Sequence, residues 1–176
     1  MADLQIKETL FSEDQIRARV GELADDISRD YGEGGLLIVG ILKGAFIFLA
    51  DLARCLSIPV KIDFMACSSY GSATKTSGVV RILKDLEADI VGRHVLIVED
   101  IIDTGLTLNY LIKNLEARGA ASVEVCSLLN KHHVEGKVDV PIKYEGFSIQ
   151  DVFVVGYGLD YGELYRNLPY IAILSK

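Results

Sequence analysis

The chain predicts an α/β fold in which a central, mainly parallel sheet is flanked by helices. Two apolar runs, Leu36 to Ile41 and Val95 to Val98, lack the polar alternation of a strand with one wet face. Both therefore read as strands buried on two sides, the habit of parallel sheets. Strand and helix patterns also alternate along the whole chain, without an internal repeat, a low-complexity tract or a linker. Half of the 176 residues are apolar, enough for one well-buried core, and the length is too short for two ordinary domains. A single unit spanning 1–176 is expected.

The elements follow in order. Ser12-Glu13-Asp14-Gln15 is a capping box, and Ile16, Val20, Leu23 and Ile27 then fall on one face of an amphipathic helix. Leu36 to Ile41 is the first buried strand and Gly44 to Leu56 an apolar helix. Val60, Ile62, Phe64 and Ala66 alternate with other residues, which predicts a strand packed on one side. Ser68 to Gly78, rich in Ser, Thr and Gly, predicts a loop, and Val79 to Leu83 returns as strand. After Val95 to Val98, Leu108, Leu111, Ile112 and Leu115 form the inner face of a helix that Gly119 can end. Val123 to Leu129 is the next strand. This order implies parallel pairing through right-handed crossovers. Val152 to Val155 and Tyr170 to Leu174 predict short strands that fold back to hood the site, with a pairing direction that the pattern does not fix.

Charge and composition narrow the function classes. A formal net charge of -7 and a pI near 4.9 argue against a nucleic-acid or anionic-membrane surface, which demands clustered Lys and Arg. A small anionic substrate would be held instead by local dipoles and a few placed cations. Cys55, Cys67 and Cys126 are odd in number, widely spaced and set in apolar stretches, so buried reduced thiols are expected, with no disulfide framework or zinc site. Met1 to Glu8 is polar and lacks an apolar signal core, and no apolar run reaches the length of a membrane span. The expected location is cytoplasmic.

The chemistry concentrates where the second buried strand ends. Val95-Leu96-Ile97-Val98 runs into Glu99 and Asp100, then into Asp103-Thr104-Gly105-Leu106-Thr107 at the start of a helix. Ligands of parallel sheets bind outside the carboxyl ends of the strands. Backbone N–H groups, two hydroxyls, a glycine and the helix dipole together favour a phosphate dianion at 103–107. Carboxylates beside such an anion make sense if they orient sugar hydroxyls or hold a hard cation such as magnesium. The plain structural alternative makes Glu99 and Asp100 solvated turn residues and Asp103 a helix N-cap, worth about 1 kcal/mol. A turn, however, needs only one of these three mutually repelling carboxylates.

At these residues the chain resembles the purine phosphoribosyltransferases, and in particular the hypoxanthine (hypoxanthine-guanine) phosphoribosyltransferase family. Val95 to Thr107 is similar to the family's ribose-phosphate signature, Leu42-Lys43-Gly44 to its pyrophosphate loop and Ser69-Tyr70 to its mobile lid. Lys131 matches the purine-recognising lysine, and Phe153-Val154-Val155-Gly156-Tyr157 with Asp160 and Arg166 matches the C-terminal purine and pyrophosphate segment. Five motifs in order are far more specific than one. Leu106, where some members carry lysine, and Ala45, where a third small residue is often Gly, depart from the pattern.

The resemblance implies the type I phosphoribosyltransferase fold and a magnesium-dependent transfer of the 5-phosphoribosyl group from 5-phosphoribosyl diphosphate to hypoxanthine, with guanine as the second expected base. It assigns the 5-phosphate to Asp103, Thr104, Gly105, Leu106 and Thr107, and the ribose hydroxyls and magnesium to Glu99 and Asp100. It assigns the diphosphate to Lys43, Gly44 and Arg166. Lys131 would donate to the purine 6-oxygen, Phe153 would stack on the ring, the Val154 backbone would read its edge, Asp160 would support a second magnesium, and Asp103 would be the general base. It also implies a cis Leu42–Lys43 peptide and a homodimer or homotetramer. On spacing alone, Lys43 reads as an ordinary strand-to-helix turn. His132 and His133 are adjacent, diverge and have no third ligand at metal spacing, so they read as solvated loop residues.

Two rival functions are open to the sequence. A sister transferase for xanthine, adenine or a pyrimidine would keep 99–107 and change the base pocket. A non-enzymatic nucleotide- or RNA-binding regulator would show a basic face, which the acidic balance disfavours. The absence of Gly-x-x-x-x-Gly-Lys-Ser/Thr excludes a nucleoside-triphosphatase loop, and Gly32, Gly34 and Gly35 precede a strand, the wrong context for a dinucleotide fingerprint.

Overall fold

A computed structural model describes residues 6–32, 34–70 and 79–174. Its elements are β1 (Ile6–Phe11), α1 (Glu13–Tyr31), β2 (Leu36–Leu42), α2 (Phe46–Cys55), β3 (Val60–Tyr70), β4 (Val79–Lys84), β5 (His94–Ile102), α3 (Leu106–Ala117), β6 (Ser122–Lys131), β7 (Tyr144–Ile149), β8 (Val154–Val155) and β9 (Ile171–Leu174). Six strands form one sheet in the order β4-β3-β2-β5-β6-β7, parallel throughout except for β4, which runs antiparallel to β3. β2 and β5 lie at its centre, which is why Leu36 to Leu42 and Val95 to Val98 are uniformly apolar.

Each face of the sheet has its own core. On one side α1 and α2 bury Ile16, Val20, Leu23, Ile27, Phe48 and Leu52 against Ile38, Leu96 and Val98. On the other, α3 buries Leu108, Leu111, Ile112 and Leu115 against Val39, Ile97 and Val125. The capping box forms as the sequence predicts: Ser12 Oγ accepts from the Gln15 N–H, and Gln15 Oε1 accepts from the Ser12 N–H. α3 stops at Arg118, and Gly119 follows with φ +83°, which glycine adopts without a Cβ clash.

Register places the site. Val39 faces Ile97 across β2 and β5, and Glu99 faces Ser127 across β5 and β6. Lys43, Glu99 to Asp103 and Lys131 therefore emerge together at the carboxyl ends of three adjacent strands. A second sheet, β1-β9-β8, is wholly antiparallel and carries Val154.

Several expectations are corrected. β3 packs on both sides rather than one: Val60 and Phe64 pack against the first core and Met65 against the second, while Ile62 is exposed and Asp63 is buried. β3 is covered on both faces, and Asp63 is tolerated there because its carboxylate accepts from the N–H groups of Phe64, Glu87 and Ala88. Those bonds outweigh burial and hold its pKa below the usual value. Ser68, Ser69 and Tyr70 belong to strand rather than loop, paired with Arg81, Val80 and Val79. The rest of the expected lid, 71–78, lies outside the described residues. α2 starts at Phe46, after a turn over 43–45. β1 and β7 go beyond the predicted elements; β1 is largely exposed and held by pairing with β9, with Phe11 stacked on Phe147 at 4.0 Å between centroids. Of the cysteines, Cys126 is buried as expected, Cys67 is half-buried and Cys55 is exposed at the end of α2.

Candidate active site

The first wall of the site is the turn after β2. The Leu42–Lys43 peptide is cis. A Cβ on Gly44 would lie 1.6 Å from Asp100 Oδ2, so only glycine lets the turn reach that carboxylate. Gly158 (φ +101°) makes the matching approach from the C-terminal segment, since a Cβ there would lie 2.1 Å from the Gly44 carbonyl oxygen. The Lys43 ammonium extends to Glu163 at 2.9 Å in an exposed pair, which holds the Glu163 carboxyl below its ordinary pKa. Arg166 donates from Nη1 to the Gly158 carbonyl at 2.7 Å and pairs through Nη2 with Asp160 at 2.8 Å. Its Nε is buried with no partner among the described residues.

The second wall is the end of β5. Successive residues of a strand point to opposite faces. Asp100 accordingly faces Gly44 and a cleft of about 360 Å³, while Glu99 faces a smaller cavity of about 110 Å³ lined by Asp103, Thr104, Gly105 and Thr107. Burial, then the Asp100 charge, pushes the Glu99 carboxyl well above its ordinary pKa, and Glu99 Oε2 is buried without a hydrogen-bond partner among the described residues. Burial likewise lifts Asp100 to about 6, against the Ile101 N–H bond and the Arg166 charge, which pull it down. Asp160 adds repulsion.

This donor set suits a hard divalent cation. Asp100 at the cleft, and Glu99 at the adjoining cavity with a buried oxygen that has no partner among the described residues, each supply carboxylate oxygens whose charge a cation would relieve. No group of three or more His, Cys, Asp or Glu forms a closed cage among the described residues. Magnesium needs none, because it keeps several waters and substrate oxygens as ligands. Asp160 is more committed: Oδ1 pairs with Arg166 and Oδ2 accepts from the Glu163 N–H at 2.8 Å.

Between the walls lies 103–107. Asp103 is not the N-cap of α3; Gly105 is, at φ +75° and with no side-chain cap bond. A Cβ at Gly105 would meet the Val138 carbonyl oxygen at 2.9 Å. The first turn of α3 thus offers its amides to an outside acceptor, and the helix dipole makes an anion the favoured one. Asp103 is exposed, with Oδ1 3.5 Å from the Lys131 ammonium. Thr104 is fixed through its carbonyl, which accepts from the Val138 N–H at 2.8 Å.

Lys131 closes the third side at the end of β6. Beyond it, Phe153 stands 43% exposed and edge-on to Tyr161, while Val154 is buried in β8. The main cleft is therefore lined by Lys43, Gly44, Asp100, Asp103, Lys131, Phe153, Val154, Asp160 and Arg166. Glu99, Thr104, Gly105 and Thr107 sit in the adjoining cavity, and Leu106 lines neither. Ser69 and Tyr70 end β3. Sequence reasoning missed Asp151, which pairs with Lys131, and Glu163, which pairs with Lys43 and Arg166. A larger cavity of about 510 Å³ between α1, α2 and Asn167–Pro169 lies apart from these carboxylates and cations.

The arrangement can seat an anion on the α3 amides, a second anion between Lys43 and Arg166, and a flat polar ring against Phe153 within reach of Lys131. Known proteins share this frame. The phosphoribosyl transferase domain model matches residues 8–162. A hypoxanthine-guanine phosphoribosyltransferase of Mycobacterium avium is 52% identical over 97% of this chain and 86% of its own length. One from Bacillus subtilis is 46% identical over 97% and 94%. A crystal structure of a hypoxanthine-guanine phosphoribosyltransferase from Bacillus anthracis, 46% identical, superposes with a TM-score of 0.92 over 97% of this chain and all of that one. The fold, the site-bearing strand ends and these likenesses together establish that the chain belongs to the phosphoribosyltransferase family, as a hypoxanthine-guanine phosphoribosyltransferase-type enzyme.

Proposed function

We propose that the chain, acting as one unit over 1–176, transfers the 5-phosphoribosyl group of 5-phosphoribosyl diphosphate to hypoxanthine, and to guanine as second base, giving IMP or GMP and pyrophosphate. The observation that carries this reading is the 3.5 Å pair of Lys131 and Asp103 on one cleft wall, a donor for a 6-oxygen beside a proton acceptor. The α3 amides with Thr104 and Thr107 hold the 5-phosphate, Glu99 and Asp100 the ribose hydroxyls, and Lys43, Gly44 and Arg166 the diphosphate. Phe153 stacks on the purine and the Val154 backbone reads its edge.

In the chemical step the bond from ribose C1 to the diphosphate oxygen breaks, purine N9 forms the new bond to C1, and the N7 proton passes to Asp103. Positive charge grows on the ribosyl ring while negative charge grows on the leaving diphosphate, which Arg166 and Lys43 stabilise as it develops. Magnesium, held by Glu99 and Asp100 with Asp160 at a second position, would add electrostatic stabilisation of that leaving group. Ser69 and Tyr70 would form the base of a lid that excludes water.

The acidic surface, and the lack of any helix long and apolar enough to cross a membrane among the described residues, support small-molecule substrates rather than nucleic acid or membrane. We place the enzyme in the cytoplasm as a homodimer or homotetramer. Pyrophosphate release with each base in turn, with and without magnesium, tests the reading. A solved relative of 40% identity is a hypoxanthine-guanine-xanthine phosphoribosyltransferase, so xanthine belongs in the panel with hypoxanthine, guanine and adenine. Turnover of adenine equal to that of hypoxanthine would overturn the base assignment.

A further inference from the structure

The Lys131 ammonium has two carboxylate partners, Asp151 at 3.0 Å and Asp103 at 3.5 Å, while its side chain is only 12% exposed. We infer that Asp151 is a positioning residue, which aims the ammonium at the base and keeps it off Asp103. The inference rests on the proposed reading of the cleft.

Sheet register creates the pair. Lys131 stands opposite Ile149 across β6 and β7, and the His132 N–H donates to the Ile149 carbonyl at 2.8 Å, which locks the two strand ends side by side. Asp151 follows two residues later, at the bend that leads into Phe153 and Val154. One short segment thus offers a carboxylate to the lysine and a ring and backbone edge to the base. The backbone of Lys131 is fixed separately, because Lys137 Nζ donates to both its carbonyl and Asn130 Oδ1. What is left undetermined is the aim of a flexible four-carbon stem.

Charge decides that aim. An ammonium largely withdrawn from water requires opposing charge, and it has three protons to place. Asp151 can take one and the purine 6-oxygen another. With Asp151 neutralised, Asp103 is the one remaining carboxylate that pairs with Lys131 among the described residues. An ammonium drawn there would leave the 6-oxygen and occupy the acceptor that the N7 proton needs.

Steady-state kinetics of Asp151→Asn and Asp151→Glu, alone and combined with Lys131→Met, test this, together with calorimetric binding of IMP and of ribose 5-phosphate. Asp151→Asn should raise the KM for hypoxanthine about tenfold and leave the KM for 5-phosphoribosyl diphosphate within about twofold, as expected for loss of one base-side interaction. IMP binding should weaken in parallel while ribose 5-phosphate binding holds. Asp151→Glu should recover most of the loss, and Asp151→Asn should add nothing in the Lys131→Met background. An unchanged hypoxanthine KM, equal losses for IMP and ribose 5-phosphate, or additivity with Lys131→Met would each overturn the role. An unmodified protein that releases no pyrophosphate with any 6-oxopurine would overturn the proposed function and this inference together.

Discussion

The two ends of the cleft are built differently. The ribose-phosphate end stands on β2 and β5, central strands buried on both faces, whose loops are held by close backbone approaches at Gly44 and Gly105. The base end joins Lys131, at the edge of that sheet in β6, to a two-residue strand, β8, paired to β9 in a three-stranded sheet, with an exposed Phe153. A rigid sheet edge can hold reacting groups to within fractions of an ångström, as bond-making requires. A lightly built hood can change its ring contacts without disturbing that edge. In the proposed reading, transfer chemistry rests on the central sheet, while the ring and backbone-edge contacts to the base rest on the hood.

The sharpest break is at Gly44. Gly44→Ala puts a Cβ where Asp100 Oδ2 lies, and the Asp100 carboxylate or the loop must move. We expect activity to fall by about 10⁴ or more with every base alike, since misplacement by an ångström already costs about 10². A variant that keeps turnover, measured by pyrophosphate release, would show that the close approach is incidental.

Asp103→Asn comes next. It should lower kcat by roughly 10² to 10⁴, the worth of positioned proton transfer. Because Gly105 rather than Asp103 caps α3, the variant should melt like the parent. Near wild-type kcat would remove Asp103 from proton transfer.

At the base end, Lys131→Met should lose most hypoxanthine activity and compress the hypoxanthine-to-adenine ratio of kcat/KM from about 10⁴, because an ammonium meets only another donor in a 6-amino group. Its KM for 5-phosphoribosyl diphosphate should hold. A change in that KM as large as the change for the base would mean that the two ends are not separable.

The smallest effect is on stability. Burial lifts the Asp100 carboxyl to about 6 from 3.8, so between those values the folded protein keeps a proton that the unfolded chain has released. The contribution is fully present below about pH 4 and is lost as pH rises through 6, so ionised Asp100 destabilises the fold at neutral pH by about 1–3 kcal/mol. Without divalent cation, Asp100→Asn should raise the Tm at pH 7.5 and leave it unchanged near pH 4. An equal Tm at both pH values would place Asp100 in a more solvated setting.

Local signals were the legible ones. The capping box and the Ile16, Val20, Leu23 and Ile27 stripe could be read because cap and period lie within one helix. The proposed ribose-phosphate site was legible as a motif because Glu99 to Thr107 is one continuous stretch at a strand end. β1 escaped because its residues are largely exposed and its partner, β9, lies at the other end of the chain. Only one packed face of β3 was legible, because alternation marks the side of Val60 and Phe64 but not the side of Met65, and Asp63 is buried there through bonds that its own residue type conceals. Asp151 and Glu163 escaped for the same reason as β1: their lysine partners are 20 and 120 residues away.

The pairing of β1 with β9 has a consequence for how the molecule is made. Ile6 is matched with Leu174, so β1 must wait until β9 has been made before the two can pair. β8 depends on that same late strand, since it pairs with β9 alone. Vectorial synthesis therefore brings out β2 and β5, with the glycine turn and the carboxylates, before β8 has anything to pair with. In the proposed reading, the hood's contacts to the purine are the last part of the cleft to be completed.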